Sequence, residues 1–402
     1  MTPDLVAALT GIGALFAYFG VERVRVSARR RAIPLRIAVT GTRGKSSVVR
    51  LIAAGLSAGE RRTLAKATGS RAAFIGPSGD ERLIVRHGPP SILEQKRVLA
   101  LACREKADVL VVEVMSIRPE NYAVELGRIV CPQILALTNV RPDHIAELGE
   151  SLHVAARAFA DGVPPGCQLM LLEGVMPRKQ LLTLEQGGTH VLTVAPDAYS
   201  EAVSGLELPY AEWADNVRLA LAVCEVAGVP PRTAVDGMRK VRSDFGALRA
   251  WRLTSGEGVW IAVNAFAAND PVSTMSVYRR VVEADPCRGL PVIGVLNVRG
   301  DRGDRTAQWC RVISSGSGPD LEWLFVIGDH PQPVVRRVRS RYGDHVQGVA
   351  SRSPERVWNE VTGSVPTGGV VFGFGNIGGL GAALVEYWKE AGEPECLSSS
   401  LA

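Results

Sequence analysis

The sequence runs to 402 residues, enough for two or three domains, and its 46% hydrophobic content supplies the interior that such domains need. That composition excludes a disordered chain. The balance of 46 Lys and Arg against 41 Asp and Glu leaves only +5, spread along the chain, which argues against nucleic acid as a partner while leaving room for an anionic substrate.

From Leu5 to Val21 there is no charge and most residues are apolar, and Arg23, Arg25, Arg29, Arg30 and Arg31 follow closely. The run falls slightly short of the ~20 residues usual for a spanning helix, so Tyr18, Phe19 and the arginines would sit near the interface and snorkel. This predicts a single-pass transmembrane helix and basic linker over residues 1–32, placing the protein in the cell membrane. The positive-inside rule sets the N-terminus outside and the catalytic body in the cytoplasm. A cleaved signal peptide fits less well, because the charge before the run is Asp4 and the arginines lie after it. A helix docked on another subunit or lying in the interface is the alternative.

Ile37-Ala38-Val39 predicts a strand, and the stretch through Thr40, Gly41, Thr42, Arg43, Gly44, Lys45, Ser46 and Ser47 predicts a phosphate-binding loop opening a helix. Gly41 and Gly44 permit a tight turn, and the first N–H groups of the helix would point at an anion. Lys45 can pair with the outer phosphates of ATP while Ser46 offers a hydroxyl to Mg2+. The pattern is G-T-x-G-K-S: the general phosphate-loop pattern would need glycine at position 39, where this chain has Val39. An ordinary strand-to-helix turn is the plainer alternative, though it would have little use for Lys45 behind two glycines.

Strand-like runs at Leu35 to Val39, Val109 to Glu113, Ile134 to Thr138 and Gln168 to Leu172 alternate with helical stretches, the pattern of a mostly parallel sheet covered by helices. Ligands of such sheets gather beyond the C-terminal ends of the strands. Glu113 ends an otherwise apolar strand, where an unpaired charge would be costly, so a magnesium ion or a salt bridge to an arginine should compensate it. Thr138 through His144 form a second polar cluster after a strand, in which His144 could bind metal or orient the terminal phosphate. Lys66, Thr68, Gly69 and Arg71 follow another strand-like run and are weak candidates for facing an acceptor chain.

A helix from about Tyr210 to Ala227 carries Asn216, and Gly228-Val229-Pro230-Pro231 stops it. A second α/β unit begins near Gly246, with strands around Val259 to Val263, Pro291 to Leu296, Trp323 to Ile327 and Val370 to Phe374. The predicted organisation is a central ATP-binding domain over 33–245 and a C-terminal α/β domain over 246–402. Arg299, Arg302 and Arg305 suit a polyanion or the nucleotide, and equally a surface loop self-paired with Asp301 and Asp304. Gly373, Gly375 and Gly378 satisfy G-x-G-x-x-G after a strand, but the chain ends about 24 residues later without the strand and ribose-binding acid that a dinucleotide site needs. Tight strand-to-helix packing explains them instead. The seven cysteines form no C-x-x-C pair or metal-ligand spacing, which points to reduced cytosolic thiols.

In this order, G-T-x-G-K-S, a strand-end glutamate, T-N-x-x-x-D-H and an asparagine on a later helix resemble the Mur ligase superfamily of ATP-dependent amide ligases. Gly41 through Ser46, Glu94-Gln95-Lys96, Asn139 through His144, Phe245 through Arg249, Asn264 through Asp270, Asp301 through Thr306 and Gly375 through Gly379 look closer to one branch, the ligase subunit of poly-γ-glutamate synthase. The resemblance runs from about residue 33 to 390. It implies a Mur-ligase-like central P-loop ATPase domain with a parallel sheet, and a C-terminal Rossmann-like α/β domain after the membrane helix.

By that resemblance Lys45 would bind ATP phosphates, Ser46 and Glu113 would hold magnesium, and His144 would sit at a second metal or phosphate position, making Lys45, Glu113 and His144 the catalytic set. Asn216 would contact the adenine and Arg249 would reach ATP from the domain junction. Asn264 stands where many relatives have aspartate. Many Mur ligases also carry a carbamylated lysine about fifteen residues after the histidine, whereas Ala156-Arg157-Ala158-Phe159 offers none, which puts a second metal site in doubt.

The implied reaction transfers the γ-phosphoryl group of ATP to a terminal carboxylate of poly-γ-glutamate, and the amine of glutamate then attacks the acyl phosphate. Implied partners are glutamate, the polymer, other membrane subunits of a synthesis and export complex, and a possible homo-oligomer. The alternatives are a membrane-associated P-loop ATPase energising export, and another Mur-type amino-acid ligase.

Overall fold

The computed structural model describes residues 2–86, 88–116, 118–140, 152–208, 210–256, 258–268, 270–364 and 368–397. The chain divides into two compact units. Met1–Leu206 with Asp215–Arg242 form the first, and Glu207–Ala214 with Ser243–Ala402 form the second.

The first unit is built on eight strands: β1 (Leu35–Thr40), β2 (Thr63–Ala67), β3 (Ala73–Ile75), β4 (Glu81–Leu83), β5 (Val109–Glu113), β6 (Ile134–Leu137), β7 (Gln168–Leu172) and β8 (His190–Val194). They lie in the order β4-β3-β2-β5-β1-β6-β7-β8. From β2 to β8 all neighbours are parallel, and β3 and β4 add an antiparallel edge. The central strands are covered on both faces, which is why they are continuous apolar runs rather than alternating ones. The register sets Val39 beside Glu113 on one side and Ala136 on the other, so β1, β5 and β6 end together.

Helix α1 (Pro3–Ala32) carries the N-terminal apolar run, and the arginines expected to form a linker continue its helix. Among the described residues it is the one helix long and apolar enough to cross a membrane. Its upstream face is exposed, whereas Val26 and, just beyond its end, Ile33 join the core. Helix α2 (Lys45–Ala58) buries Val48, Val49, Leu51, Ile52 and Leu56 on the sheet. Helix α3 (Glu94–Arg104) leads into β5 and buries Val98, Leu99 and Ala102.

The second unit contains β9 (Arg249–Ser255), β10 (Gly258–Asn264), β11 (Val292–Val298), β12 (Trp323–Gly328), β13 (Val346–Gly348), β14 (Gly369–Gly375) and β15 (Glu393–Glu395). Their order is β13-β12-β11-β14-β10-β9-β15, with β9 antiparallel to both its neighbours and the remaining pairs parallel. Trp260, Phe266, Trp358 and Trp388 fill one face of this sheet, with Phe266 stacked on Trp388 at 5.9 Å. Both units are therefore α/β with parallel-rich mixed sheets.

Candidate active site

At the end of β1 the chain turns through Gly41 (φ 124°) and Gly44 (φ 81°), conformations that residues with a side chain rarely adopt, and enters α2 at Lys45. The first intrahelical bond here runs from Val48 N to Gly44 O at 2.9 Å. The N–H groups of Lys45, Ser46 and Ser47 form the helix's first turn, where they lack intrahelical acceptors and the dipole is positive. An anion is the natural occupant of such a turn.

The loop is held from behind. Thr42 N donates to Asn139 O at 3.0 Å, Arg43 N donates to Asn139 Oδ1 at 3.1 Å, and Asn139 Nδ2 donates to Arg43 O at 3.0 Å. Thr138 Oγ1 adds a bond to Arg43 O at 2.6 Å. Thr138 and Asn139 thus act on the loop itself, a role that their position after a strand only partly announced. Asn216, on the helix Ala214–Val226, packs against the same loop: a Cβ added at Gly44 would stand 2.5 Å from its Oδ1.

Ser46 Oγ donates to Glu113 Oε2 at 2.7 Å, and Thr68 N donates to the same oxygen at 2.6 Å. Glu113 is only 4% exposed, so these bonds and the phosphate-loop side of the crevice make up its polar surroundings. One carboxylate and one hydroxyl beside an anion-binding turn form an oxygen-only donor set, which suits magnesium completed by phosphate oxygens and water rather than a softer metal. Lys45 Nζ is folded back on the loop, donating to Gly41 O at 2.7 Å and Thr42 O at 3.3 Å. His144 lies outside the described residues, as do Arg141, Pro142 and Asp143.

A second carboxylate network supports the first. Glu125 is fully buried where the helix Pro119–Val124 passes into a π-helical turn, Glu125–Val130. It accepts from Met115 N at 3.1 Å, Ser116 N at 3.0 Å, the Ser116 hydroxyl, and Gln95 Nε2 at 2.6 Å. Gln95 Nε2 also donates to Glu113 O at 3.1 Å. These bonds fix the backbone at the site carboxylate and just after it.

Lys66 is fully buried on β2, with Nζ 3.2 Å from Glu94 Oε2, and Arg86 Nε donates to Glu94 Oε1 at 2.7 Å. Burial pushes the Lys66 ammonium below the usual lysine range, against the pull of Glu94. Burial raises Glu94, but Arg86 and Lys66 outweigh it and hold the carboxyl low. Lys66 is therefore a core cation and does not face an acceptor.

In the second unit Arg249 opens β9 and donates through Nη2 to the Ser243 hydroxyl. Burial lowers its guanidinium, with Tyr210 and Asp244 opposing. Asn264, fully buried at the end of β10, donates from Nδ2 to Phe245 O at 3.2 Å and Ala247 O at 3.3 Å. Arg299 is paired within its own loop, its Nε 2.9 Å and Nη2 2.7 Å from the Asp301 carboxylate. The glycines at the end of β14 and in the turn after it serve packing: a Cβ at Gly373 would meet Phe266 at 2.5 Å and one at Gly378 would meet Arg299 at 2.2 Å. All seven cysteines are free, and burial pushes the Cys167 and Cys287 thiols up to about 12.

Residues 39–160 match the Mur ligase middle domain, and residues 251–391 match the poly-gamma-glutamate synthase CapB C-terminal domain. The chain is 30% identical over 331 residues to the capsule biosynthesis protein CapB of Bacillus anthracis, covering 81% of this chain and 70% of that protein. It is 28% identical over 372 residues to the PGA synthase CapB of Bacillus subtilis (strain 168), covering 91% and 93%. Among solved structures, the bifunctional folylpolyglutamate synthase/dihydrofolate synthase of Yersinia pestis, complexed with AMPPNP and Mn ion, shares the fold at a TM-score of 0.64 and 16% identity, covering 91% of this chain and 93% of that one.

Proposed function

This chain belongs to the CapB family of poly-γ-glutamate synthases within the Mur ligase superfamily, and we propose that it elongates poly-γ-glutamate by joining glutamate to a terminal carboxylate of the polymer. It is an ATP-dependent amide ligase. The observation that carries the phosphoryl-transfer reading is the 2.7 Å contact of Ser46 with Glu113 at the mouth of a glycine loop that opens a helix, and the match of residues 251–391 to the CapB C-terminal domain supports the polymer as substrate.

A carboxylate is a poor acyl donor. Its oxygen takes the γ-phosphoryl group of ATP, the bond to the bridging oxygen of ADP breaks, and the resulting acyl phosphate has phosphate as its leaving group. The amine of glutamate attacks the acyl carbon, phosphate departs and the amine loses a proton, leaving an amide. The chain's part is positioning and charge. Loop amides and Lys45, released from the carbonyls of Gly41 and Thr42, grip the phosphates. Thr138 and Asn139 keep the loop in shape for this. Ser46 and Glu113 would hold magnesium, which would neutralise charge on the transferring phosphoryl group. His144 is proposed at a second metal or phosphate position, and Asn216 at the nucleotide.

The apolar α1 supports a single-pass membrane anchor, with the ligase body placed in the cytoplasm by the arginines that follow the apolar run; companion membrane subunits of a synthesis and export assembly are part of the same proposal. The test is ADP release by the detergent-solubilised full chain with Mg-ATP, with and without glutamate and a short poly-γ-glutamate primer. Glutamate-dependent release that is lost in Lys45→Ala, with lengthened polymer, is the expected result. Release indifferent to glutamate overturns the ligase assignment in favour of an export ATPase.

A further inference from the structure

The course of α1 along α3 fixes which side of the first unit meets the membrane. Glu22 pairs with Lys96 at 2.7 Å, and seven residues further along both helices Cys103 Sγ donates to Arg29 O at 3.3 Å, so the two helices run parallel. The start of α3 lies at the C-terminal edge of the sheet, where Gln95 bonds Glu113 O and Glu94 meets Lys66. The end of α1 lies at the opposite edge: Arg30 Nη1 donates to Arg128 O at 2.9 Å, and Arg36 Nη1 donates to Arg30 O at 2.7 Å as β1 begins.

From Val21 to Ile33 a helix rises about 18 Å, which matches the roughly 16 Å of a five-residue strand. The uncharged run Leu5 to Val21 therefore leaves the body at the level of the strands' C-terminal ends and continues past them. That is the edge on which the phosphate loop and Glu113 lie.

A second, independent feature sits at this level. Val85 and Leu93 are 77% and 55% exposed, and Pro89 and Pro90 between them are exposed as well. Exposed apolar residues at the level where an apolar helix leaves the body can share its lipid environment. They flank the start of α3, beside the point where α1 departs, and a groove of about 820 Å³ runs from them along Phe74, Leu83 and Leu101. Arg97 lines that groove and is exposed, Arg23 and Arg25 are exposed on α1 next to Glu22, and Glu22 and Glu94 are neutralised by Lys96 and by Arg86 and Lys66. An apolar tip with exposed arginines on its own helix and on the departing α1 suits the headgroup and acyl boundary of an anionic bilayer.

We propose that the segment around Val85 and Leu93 dips into the lipid surface, so that the ligase crevice of the first unit opens toward the bilayer and not away from it. The proposal rests on α1 spanning the membrane. The exit of the helix on the crevice side would then hold the growing polymer end close to the membrane through which it must leave.

The test uses the full chain in nanodiscs of phosphatidylethanolamine and phosphatidylglycerol, with the photo-crosslinker p-benzoylphenylalanine substituted in turn for Phe16, Val85, Leu93 and Lys106. Lys106 follows α3 at the far edge and is the negative control; Phe16 reports insertion of α1. Lipid adducts at positions 85 and 93 several-fold above those at 106, with adducts at 16, are expected. Adducts at 16 but none above background at 85 and 93 overturn the proposal while leaving the anchor intact. Adducts to protein instead of lipid at 85 and 93 overturn it in favour of a partner subunit, and absence of lipid at 16 overturns the anchor and the proposal together.

Discussion

The hydroxyl of Ser46 and the carboxylate of Glu113 meet at 2.7 Å across the gap between the first turn of α2 and the end of β5. Ser46 is the second residue of its helix and Glu113 the last of its strand, so the helix start and the sheet edge fix the backbone from which each side chain reaches. Glu113→Gln keeps an oxygen for Ser46 and Thr68 but removes the charge by which Glu113 is proposed to hold magnesium. Glutamate-dependent ADP release is expected to fall by about 10²-fold, the scale of losing one electrostatic partner of a transition state. The magnesium concentration for half-maximal rate should rise at the same time. An unchanged magnesium titration would remove Glu113 from the metal site.

Gly44 combines a φ of 81° with an Asn216 Oδ1 only 2.5 Å from where a Cβ would stand. Gly44→Ala should destabilise the protein by about 1–3 kcal/mol, the range for a residue held in a sparsely populated backbone region. Adding Asn216→Ala removes the clash but not the backbone cost, so the double variant should recover part of the loss in melting temperature. Full recovery would show that the side-chain clash alone sets the glycine requirement.

The long strands were legible because burial on both faces leaves an apolar run: Val109 to Glu113 and Gln168 to Leu172 match β5 and β7 at both ends. Glu113 was legible for the converse reason, since a carboxylate that closes such a run must find partners. The three-residue strands β3, β4, β13 and β15 are too short to show a period, and the π-helical turn holding Glu125 has no sequence signature. Lys66 misled because the register, which sets it beside Val112 inside the sheet, is decided by strands far apart in sequence. The parallel course of α1 along α3 was hidden for the same reason.

Asn264 donates to the carbonyls of Phe245 and Ala247 from a fully buried position, a role that an ionised aspartate cannot fill. Asn264→Asp should therefore destabilise the second unit by about 1–3 kcal/mol at neutral pH, the cost of breaking buried hydrogen bonds at one partner. Protonation supplies a donor, and burial beside carbonyls raises the folded-state pKa of the new carboxyl. Stability of the variant should thus approach that of the parent as pH falls toward the carboxylate range and drop away as pH rises through the folded pKa. A deficit in melting temperature that is flat from acid to neutral pH would contradict the donor role.

Lys66 offers the opposite case, a charge whose burial works against the fold. Its folded-state pKa lies below that of the unfolded chain, chiefly by desolvation and in spite of Glu94. Between the two values the unfolded chain binds more protons, so this group makes stability rise with pH through that window, and at neutral pH its full desolvation is felt. Lys66→Met preserves the stem, and Glu94 keeps Arg86 at 2.7 Å. Removing one partner of a buried pair is costly where it strands the other charge, but Glu94 retains Arg86 and the desolvated ammonium is gone, so the variant should melt at or above the parent temperature at pH 7. Its advantage should shrink as the parent lysine loses its proton at higher pH. A variant that melts well below the parent at pH 7, by the same margin at high pH, would show that Lys66 acts through packing or hydrogen bonding and not through its charge.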